Sequence, residues 1–552
     1  MRILGLLLCA IALAPVAHPA QPSDASAVHL RILAINDFHG QLEPPGPAGR
    51  IAGQNAGGAA YLASHVAALR AGAAHTIVVS AGDLINASPF TSALFHDEPT
   101  IEAMNALGLE LNGVGNHEFD EGVEELRRMQ RGGCHPVDGC QFRDKFDGAR
   151  FAFLAANVQD VRTGATAFPG YVVREFEGIP VAFIGVTLAA TGSMVSPSGV
   201  RGWSFAGEAD TANAIARELR ERGVQAIVLL IHEGGAGGGG LDECPSLSGP
   251  IVAIVRRLDP GIDAVISGHT HQAYNCLVDG RPVTSAGSHG RVITQLDLTL
   301  DRETRDVRTS HAVNRLVTQD VTPDPEVARI VETAHSLAAR KDRVVGRAAG
   351  PILRAGLLPA DLQAGGSGES ALGNLLADAQ LRATRAPERG AAQIAFMNPG
   401  GVRADLIPRE DGSVLYSQLF AVHPFGNDLV TMTLTGAQIR TLLEQQFPAD
   451  PNATPLPRAL QPSAGFRYTW HAAAARGQHI QSATLDGREL DPAADYRVTV
   501  NSFLAEGGDR FSVLTQGRDR MRTVVDVDAL EAYFREVGKV TSPALGRIVR
   551  QP

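Results

Sequence analysis

The chain has 552 residues and a formal net charge of −10, with 44% hydrophobic and 20% charged residues. This length exceeds what one hydrophobic core usually organises, so two domains are expected, and the composition is typical of a globular protein. Because phosphate contacts need a positive surface, the acidic balance and the lack of a basic tract argue against a nucleic-acid polymer as partner.

The N-terminus has the pattern of an export signal. Arg2 is followed by the apolar run Ile3–Ala14 and by small residues up to Ala20. A membrane anchor is the alternative, but this run is short for a bilayer, and no other segment of the sequence predicts a transmembrane span. We therefore expect a signal peptide over residues 1–20 and a periplasmic or secreted location.

Removal of that signal leaves four cysteines, an even number that suggests two disulfides in an oxidising compartment. Three connectivities are possible. The pairing that we expect is Cys134 with Cys140, which closes a short loop, and Cys244 with Cys276.

Strand-like and helix-like segments alternate from residue 28 to about residue 300, and we assign residues 28–315 to a first, α/β domain. A final strand at Arg291–Leu300 is predicted at the sheet edge. The strands expected before it are Leu30–Ile35, Thr76–Val79, Leu111–Val114, Phe151–Ala155, Val181–Val186, Gln225–Ile231 and Ala264–Ile266, and the expected helices are Ala59–Arg70, Thr100–Leu107, Val123–Gln130, Asp210–Glu221 and Pro250–Arg257.

A linker helix is predicted over residues 322–343, because prolines and acidic residues mark its start. A second α/β domain then covers residues 344–545. Its expected elements are helices Leu372–Arg382 and Gly436–Gln446, strands Gln393–Met397, Leu429–Leu434 and Tyr496–Asn501, and a surface loop at Pro448–Pro462.

Five short blocks of potential metal ligands each follow a predicted strand. Ligands gather beyond the carboxyl ends of strands in open α/β sheets, so distant blocks can form one site. Alone, each block could be a solvated loop, but five in this order predict a hydrolase with two metal ions. Asp, Asn and neutral His suit Zn²⁺, Mn²⁺, Mg²⁺ or Co²⁺. The candidate ligands are Asp37, His39, Asp83, Asn116, His232, His269 and His271.

His117 directly follows the candidate ligand Asn116, which suits it to contact substrate rather than the same ion. Asp120, three residues further on, is placed to orient the imidazole, as carboxylates do for catalytic histidines. The alternative for Asp120 is the N-cap of the following helix. His289 is a weaker candidate for the pocket.

These motifs resemble the 5'-nucleotidases, including UDP-sugar hydrolases, of the calcineurin-like metallophosphoesterase superfamily, over about residues 28–540. The resemblance implies a four-layer domain with two packed sheets flanked by helices, plus a smaller C-terminal α/β domain. It also implies His117 and Asp120 as a catalytic dyad. By the same resemblance, the first ion is held by Asp37, His39, Asp83 and His271, and the second by Asp83, Asn116, His232 and His269.

Motifs of the second domain resemble the family's nucleotide pocket, in which two aromatic rings hold a base and an Asp binds the ribose. Stacking on aromatic rings accepts any base, and an arginine fork matches phosphate. The family often has an arginine shortly before the segment equivalent to Leu372-Gly373-Asn374, and none stands there in this chain. The implied substrate-binding residues are Asn398, Gly401, Arg403, Phe425, Phe503 and Asp509.

The sequence therefore predicts an exported 5'-nucleotidase with a nucleotide substrate. A 2',3'-cyclic-nucleotide phosphodiesterase with 3'-nucleotidase activity and a UDP-sugar hydrolase are the nearest alternatives. A thiosulfohydrolase and a non-catalytic nucleotide-binding protein are more distant ones. The identity of the metal, the preferred base and the oligomeric state stay open.

Overall fold

The computed structural model describes residues 26–46, 49–357, 361, 365–447 and 458–551. The predicted signal peptide lies outside these residues. Most strands that were expected from hydrophobic runs are present within a residue or two of their predicted bounds. The strands of the first half are β1 Ala27–Ile35, β2 His75–Ser80, β3 Leu111–Gly113, β4 Ala152–Leu154, β5 Val158–Asp160, β6 Tyr171–Phe176, β7 Ile179–Val186, β8 Trp203–Phe205, β9 Ala226–Ile231, β10 Ala264–Ser267, β11 Ala273–Val278, β12 Arg281–Ala286, β13 Val292–Asp301 and β14 Val307–Leu316.

These strands form two six-stranded sheets and a small β5–β8 pair within the described residues. The first sheet has the order β14-β13-β1-β2-β3-β4, and the second has the order β11-β12-β10-β9-β7-β6. Strands β1 to β4 run parallel, as do β7, β9, β10 and β12. Each sheet thus presents a set of parallel carboxyl ends at one edge.

The two sheets pack face to face, with helices on both outer faces. Ile32 and Leu230 belong to the apolar layer between the sheets, whereas Leu62 and Leu219 pack outside the first and second sheets. This arrangement is the predicted four-layer domain. The helices of the first half are α1 Ala59–Ala71, α2 Phe90–Ala93, α3 Glu98–Leu107, α4 Val123–Arg131, α5 Glu208–Glu221, α6 Pro250–Arg257 and α7 Pro325–Ala339.

Helix α7 falls within the predicted linker and packs against α1 and α3. Asp324 caps it, because its side chain accepts hydrogen bonds from Glu326 N and Val327 N. The limits of the domains themselves stay predictions. The helices beyond α7 are α8 Ala371–Thr384, α9 Tyr416–Val422, α10 Gly436–Glu444, α11 Ser502–Ala505 and α12 Asp526–Val537.

The second half is built on a five-stranded sheet with the order β19-β16-β23-β18-β24. A three-stranded sheet β17-β15-β25 and a four-stranded sheet β22-β21-β20-β26 flank it. Its strands are β15 Val344–Ala348, β16 Ile394–Met397, β17 Ser413–Leu415, β18 Asp428–Thr435, β19 Gln461–Pro462, β20 Phe466–His471, β21 Ile480–Leu485, β22 Arg488–Glu489, β23 Asp495–Asn501, β24 Arg518–Val525, β25 Lys539–Val540 and β26 Ile548–Gln551.

Two sequence predictions are wrong. The strand predicted at Arg291–Leu300 is not at the sheet edge, because β13 lies between β1 and β14 and pairs with both. The predicted loop Pro448–Pro462 ends in a buried strand, since Gln461 pairs with Met397. Residues 448–457 of that loop lie outside the described residues.

Both expected disulfides are present, Cys134–Cys140 and Cys244–Cys276. None of the helices in the described part of the chain combines the length and the apolar character that a bilayer crossing needs.

The two sheets approach each other closely at Gly185, where no side chain stands between them. A Cβ atom on Gly185 of β7 would lie 2.3 Å from Leu154 Cβ. We therefore expect Gly185→Ala to lower the free energy of unfolding by about 1–3 kcal/mol, the usual cost of overpacking a core. Urea titration measures this. The control is Gly192→Ala, whose new methyl group would meet Phe205 at an ordinary 3.5 Å; equal stability of the two variants would contradict the sheet packing.

Candidate active site

The predicted ligand blocks converge where the carboxyl ends of both sheets meet. Asp37 and His39 follow β1, Asp83 follows β2, and Asn116 follows β3 of the first sheet. The blocks that begin at His232 and His269 follow β9 and β10 of the second sheet. Because these strands are parallel within each sheet, their carboxyl ends face one another across the interface.

Asp37, His39 and His271 form the first group of donors. Their donor atoms all lie within 4.8 Å of one another. The Nε2 atoms of His39 and His271 are 3.1 Å apart. His271 Nε2 lies 3.4 Å from Asp37 Oδ1. Three donors that are this close, two of them imidazole nitrogens, are suited to share one cation.

Asp83, His232 and His269 form the second group, again within 4.8 Å. Asp83 Oδ2 lies 3.0 Å from His232 Nε2 and 3.7 Å from His39 Nε2. One carboxylate therefore stands between the two groups, where the sequence predicted a bridging ligand.

The hydrogen bonds of the imidazoles fix their tautomers for metal binding. His39 Nδ1 donates to Asn86 O at 2.9 Å, and His232 Nδ1 donates to Ala81 O at 2.7 Å. Since a carbonyl only accepts, each ring in its neutral form keeps a lone pair on Nε2. His232 Nε2 faces the candidate ligand Asp83 Oδ2 at 3.0 Å, and Asn116 Oδ1 is buried without a hydrogen-bond partner among the described residues. A buried amide oxygen without a donor fits a divalent cation.

Burial makes isolated charges unfavourable in this site. It raises the pKa of Asp37 to about 7 and lowers the pKa of His269 to about 3. Burial also lowers the pKa of His232, but the adjacent Asp83 carboxylate outweighs it and raises that pKa to about 10. A proton and a cation compete for the same Nε2 atom, so metal binding is expected to release protons.

The backbone around the donors is strained. Five of the seven predicted ligands have a positive φ, which non-glycine residues rarely adopt. Neighbouring glycines let the loops approach, because a Cβ on Gly115 would lie 2.2 Å from Asp83 Oδ1 and one on Gly82 would lie 2.6 Å from His232 Nδ1. The strained ligands are Asp37, His39, Asp83, His269 and His271.

Glu118 holds two of these loops together, and the sequence did not reveal this role. One carboxylate oxygen accepts from Asp83 N and Gly115 N, both at 2.9 Å. The other accepts from Leu84 N at 2.8 Å and Asn112 Nδ2 at 3.1 Å. The sequence shows only that Glu118 directly follows His117. An acidic residue in a loop is usually solvated, so this position alone does not predict a buried role.

His117 and Asp120 form the predicted pair. His117 Nδ1 donates to Asp120 Oδ2 at 2.7 Å. Burial alone would lower the pKa of His117, but the charges of Asp120 and Asp83 raise it above its ordinary value. The alternative role of Asp120 as a helix N-cap is wrong, because Gly122 holds that position of α4.

The second domain contributes the other wall of the cavity beside His117. The His117 and Phe425 rings are stacked with centroids 6.0 Å apart. The Arg403 guanidinium lies 5.9 Å from the Phe425 centroid. All six predicted substrate residues line this cavity, Gly401 with its backbone and the others with their side chains. They are Asn398, Gly401, Arg403, Phe425, Phe503 and Asp509.

Asp509 already has partners in that cavity. Its Oδ2 atom accepts from Asn398 Nδ2 at 3.0 Å, and its Oδ1 atom accepts from Arg458 Nη1 at 2.7 Å. Asn501 Nδ2 in turn donates to Asn398 Oδ1 at 3.0 Å. Arg458 and Asn501 were missed, because neither lies in a motif that resembles the family.

A second basic residue lies next to Arg403 in the second domain. Arg354 lines a cavity together with Arg403, His271 and His289, and its Nη1 atom donates to Arg403 O at 2.7 Å. His289 is the weaker candidate of the sequence analysis, and its ring lies 5.6 Å from that of His271. Arg354 escaped notice because it stands alone in a Gly- and Leu-rich segment.

Both halves of the chain match known families. The family described as Calcineurin-like phosphoesterase matches residues 30–273, and the family described as 5'-nucleotidase, C-terminal domain, matches residues 344–516. The chain is 32% identical to Endonuclease YhcR of Bacillus subtilis (strain 168), over 93% of this chain and 40% of that protein. It is also 32% identical to Cell wall protein Lmo0130 of Listeria monocytogenes, over 93% of this chain and 68% of that protein.

Among solved structures, a 5'-nucleotidase precursor from Thermus thermophilus has a TM-score of 0.77 at 27% identity, covering 95% of this chain and all of that one. The predicted two-domain α/β fold class is thereby confirmed. The chain spans less than half the length of the Bacillus endonuclease.

The four hydrogen bonds of Glu118 predict a role in positioning the ligand loops. In Glu118→Gln, the amide would turn its own N–H₂ group toward two of the donors. We expect affinity for divalent metal to fall by about 10- to 100-fold, as for other groups that orient metal ligands. Titration with a competing chelator measures this, and activity should recover at high metal concentration. Glu110→Gln, at a surface ion pair with Arg70, is the control; an unchanged affinity in Glu118→Gln would rule out the positioning role.

Proposed function

The chain belongs to the 5'-nucleotidase family of calcineurin-like phosphoesterases, as the resemblance of its motifs predicted, and from this premise we propose that it hydrolyses nucleoside 5'-monophosphates to nucleoside and phosphate. That it is a metal-dependent phosphoric ester hydrolase follows from the family itself. The observation that carries the finer proposal is one cavity shared by His117 and Asn116 of the first domain and by Phe425, Phe503 and Asp509 of the second.

Two divalent ions, each of them Zn²⁺, Mn²⁺, Mg²⁺ or Co²⁺, are proposed at the two donor groups. Bound there, they would lower the pKa of a water and neutralise charge on the transferring phosphoryl group. Asp83 is the ligand that both ions share. The first would be held by Asp37, His39, Asp83 and His271, and the second by Asp83, Asn116, His232 and His269.

His117 is proposed to act on the phosphoryl group, and Asp120 to orient it. The hydrogen bond to Asp120 takes Nδ1 of the ring, which leaves Nε2 to face the substrate. The raised pKa of His117 favours a protonated ring, which donates a hydrogen bond to a phosphate oxygen or a proton to the leaving oxygen.

Arginine side chains are proposed to hold the phosphate from the side of the second domain. Arg403 supports this, because it lines a cavity together with His39 and His271 of the first donor group. Arg354 lines the same cavity. A guanidinium fork binds phosphate oxygens in pairs, so these two residues supply the contact that the segment before Leu372 lacks.

The nucleoside is proposed to bind between Phe425 and Phe503, with its ribose on Asp509 and Asn398. Both rings are half-buried and line the cavity, and Phe503 also packs against the core of the second domain. Aromatic faces accept any base, so this arrangement predicts tolerance among purines and pyrimidines. The ribose hydroxyls would compete with Arg458 for Asp509.

Substrates with other phosphoryl bonds are the alternatives: the diester of 2',3'-cyclic nucleotides, the monoester of 3'-nucleotides and the anhydride of UDP-sugars. A relative named as an endonuclease adds single-stranded nucleic acid to the panel. A thiosulfohydrolase would not need two aromatic rings, and a purely binding role does not fit the enzyme family. The deciding experiment is chromatographic analysis of the products that the metal-loaded protein forms from each of these substrates, since several of them are cleaved without release of free phosphate; a kcat/KM for AMP below that for any of the others would overturn the 5'-nucleotidase assignment.

We also propose that the protein acts outside the cytoplasm. Two disulfides in the described residues are typical of oxidising compartments. Relatives include a protein named for the cell wall and a snake venom 5'-nucleotidase, the latter 25% identical over 95% of this chain.

The role of His117 predicts a loss of rate without a loss of metal. His117→Asn should keep both ions yet reduce kcat by about 10²- to 10⁴-fold, the usual contribution of a positioned acid or base. Metal content by mass spectrometry is measured beside the rate. His311→Asn, on exposed β14, is the control. If metal content falls in proportion to the rate, His117 is itself a ligand.

The proposed stacking site predicts a defect that depends on the base. Phe503→Ala should raise KM for AMP by roughly 5- to 150-fold, which corresponds to ~1–3 kcal/mol of stacking. Hydrolysis of p-nitrophenyl phosphate, which has no base, should hardly change. Phe447→Ala is the matched control, because Phe447 is half-buried in the same domain and stacks on His479 instead. Equal losses on both substrates would mean that Phe503 has only a packing role.

A further inference from the structure

Two buried polar side chains of the second domain lie directly behind the cavity that is proposed to bind the nucleoside. We propose that His423 and Asp526, which we call the buried pair, position the wall of that cavity and thereby determine its affinity for the nucleoside. They are positioning residues, because neither of them lines the cavity itself. The inference rests on the function proposed above, in which Phe425 contacts the base.

The two side chains of the buried pair are shielded from water and face each other. The exposed fraction is 1% for His423 and 0% for Asp526, and His423 Nε2 lies 3.3 Å from Asp526 Oδ2. Neither of these two atoms has another hydrogen-bond partner among the described residues. Burial of a polar group without a partner is costly. Each side chain is therefore the natural partner of the other, and a small rotation aligns a hydrogen bond between them.

Burial favours the neutral forms of both groups. It raises the pKa of Asp526 well above its usual range and lowers the pKa of His423 to about 4. A protonated carboxyl group donates one hydrogen bond, and a neutral imidazole nitrogen accepts it. One proton therefore suffices to connect the pair without a net charge in the protein interior.

Asp526 is connected to the wall of the cavity through its backbone. It is the first residue of α12, and its amide donates to Asn427 O at 2.8 Å. Asn427 lines the cavity and stands two residues after Phe425, which also lines it. A shift of Asp526 would therefore move the segment that carries the Phe425 ring.

His423 is connected to the same wall from the other side of Phe425 in the chain. It directly follows α9 and stands two residues before Phe425. The two rings are in edge contact, with centroids 6.3 Å apart and an interplanar angle of 77°, a geometry that aromatic pairs favour. A Cβ atom on Gly401 would lie 3.4 Å from His423 Nε2. The imidazole thus packs against two components of the cavity, the Phe425 ring and the backbone of Gly401.

The end of α9 also holds the loop that carries Arg403. Arg403 N donates to the carbonyl oxygen of Val422, the last residue of α9, at 2.9 Å. The buried pair therefore stands at the junction of three segments, which are the loop with Gly401 and Arg403, the turn with Phe425, and the start of α12. Fixing this junction before the substrate arrives lowers the cost of ordering the wall on binding.

This arrangement predicts a defect that depends on the base. A displacement of Arg403 would affect every phosphate ester in the same way. A displacement of Phe425 would affect only esters that carry a base. The KM for AMP divided by the KM for p-nitrophenyl phosphate therefore reports on the aromatic wall alone, and we call this quotient the KM ratio.

Substitutions that remove or keep the polar link test the proposal. Asp526→Leu should raise the KM ratio at least about fivefold, the lower end of what stacking of a base contributes. Its kcat for AMP should fall far less. Asp526→Asn keeps a neutral group that hydrogen-bonds to the imidazole, so its KM ratio should stay close to that of the wild type. The control is His479→Leu, which breaks a similar pair in the same domain, His479 Nδ1 with Glu444 Oε2 at 3.3 Å, and should leave the KM ratio unchanged.

The outcomes separate this inference from the proposed function. A wild type that does not hydrolyse AMP would contradict the proposed function and, with it, this inference. An active wild type whose Asp526→Leu variant has an unchanged KM ratio would overturn the inference alone. A rise of the ratio in Asp526→Asn equal to that in Asp526→Leu would also overturn it, because the amide preserves the link.

A double variant keeps the test decisive if Asp526→Leu folds poorly. His423→Leu/Asp526→Leu removes both polar groups at once, so neither is left in the interior without its partner. Thermal unfolding checks that this variant is folded. It should show the same rise of the KM ratio. Equal losses on AMP and on p-nitrophenyl phosphate would mean that the buried pair has only a packing role.

Discussion

The structure depends on the burial of two carboxylates, Asp37 and Asp83, at the meeting point of two sheets. Their side chains are almost wholly shielded from water. Removing an ionised carboxylate from water is costly unless an opposite charge compensates it. The histidines around them are neutral when they act as metal ligands, so divalent cations would then supply the compensating charge. Binding of cations therefore accounts for the position of the two carboxylates, and the surrounding fold holds the ligands in place.

The need to bring all ligands to one point explains the left-handed backbone of the ligands and the glycines beside them. Ligands that leave five different strands reach one point only if the chain turns sharply at once, and left-handed residues make this turn. Gly82 and Gly115 let two loops approach within contact distance. Glu118 then binds the backbone of both loops through one carboxylate. A buried acid that is not a ligand therefore determines where the ligand Asp83 lies.

The metal groups could be predicted because their donors follow strands in a fixed order, and parallel strand ends are brought together by the fold itself. Residues whose role depends on contacts with distant parts of the chain could not be predicted from the sequence. Strand β14 is only partly buried, and buried and exposed residues alternate weakly along it. The sequence therefore does not predict β14 and places β13 at the edge of the sheet. Gln461 lies in a proline-rich segment, which hid its pairing with Met397. Arg354 is held by hydrogen bonds to Arg403 and Asp405, about 50 residues away, and such distant contacts have no local sequence signal.

The division of the cavity between two domains separates chemistry from selectivity. Under the function proposed above, the first domain supplies the donor groups and His117, which would act on any phosphate ester. The second domain would supply Arg403 and Arg354 for the phosphate, and its rings and other polar groups for what is attached to the phosphate. Asp509 illustrates the consequence, because it is held by Asn398 and Arg458 in the structure. At the proposed ribose site, the sugar hydroxyls would replace the Arg458 contact, whereas a ligand without a sugar would leave the ion pair intact. Changes at Arg458 can therefore alter the discrimination between nucleotides and simple esters while the metal site stays the same.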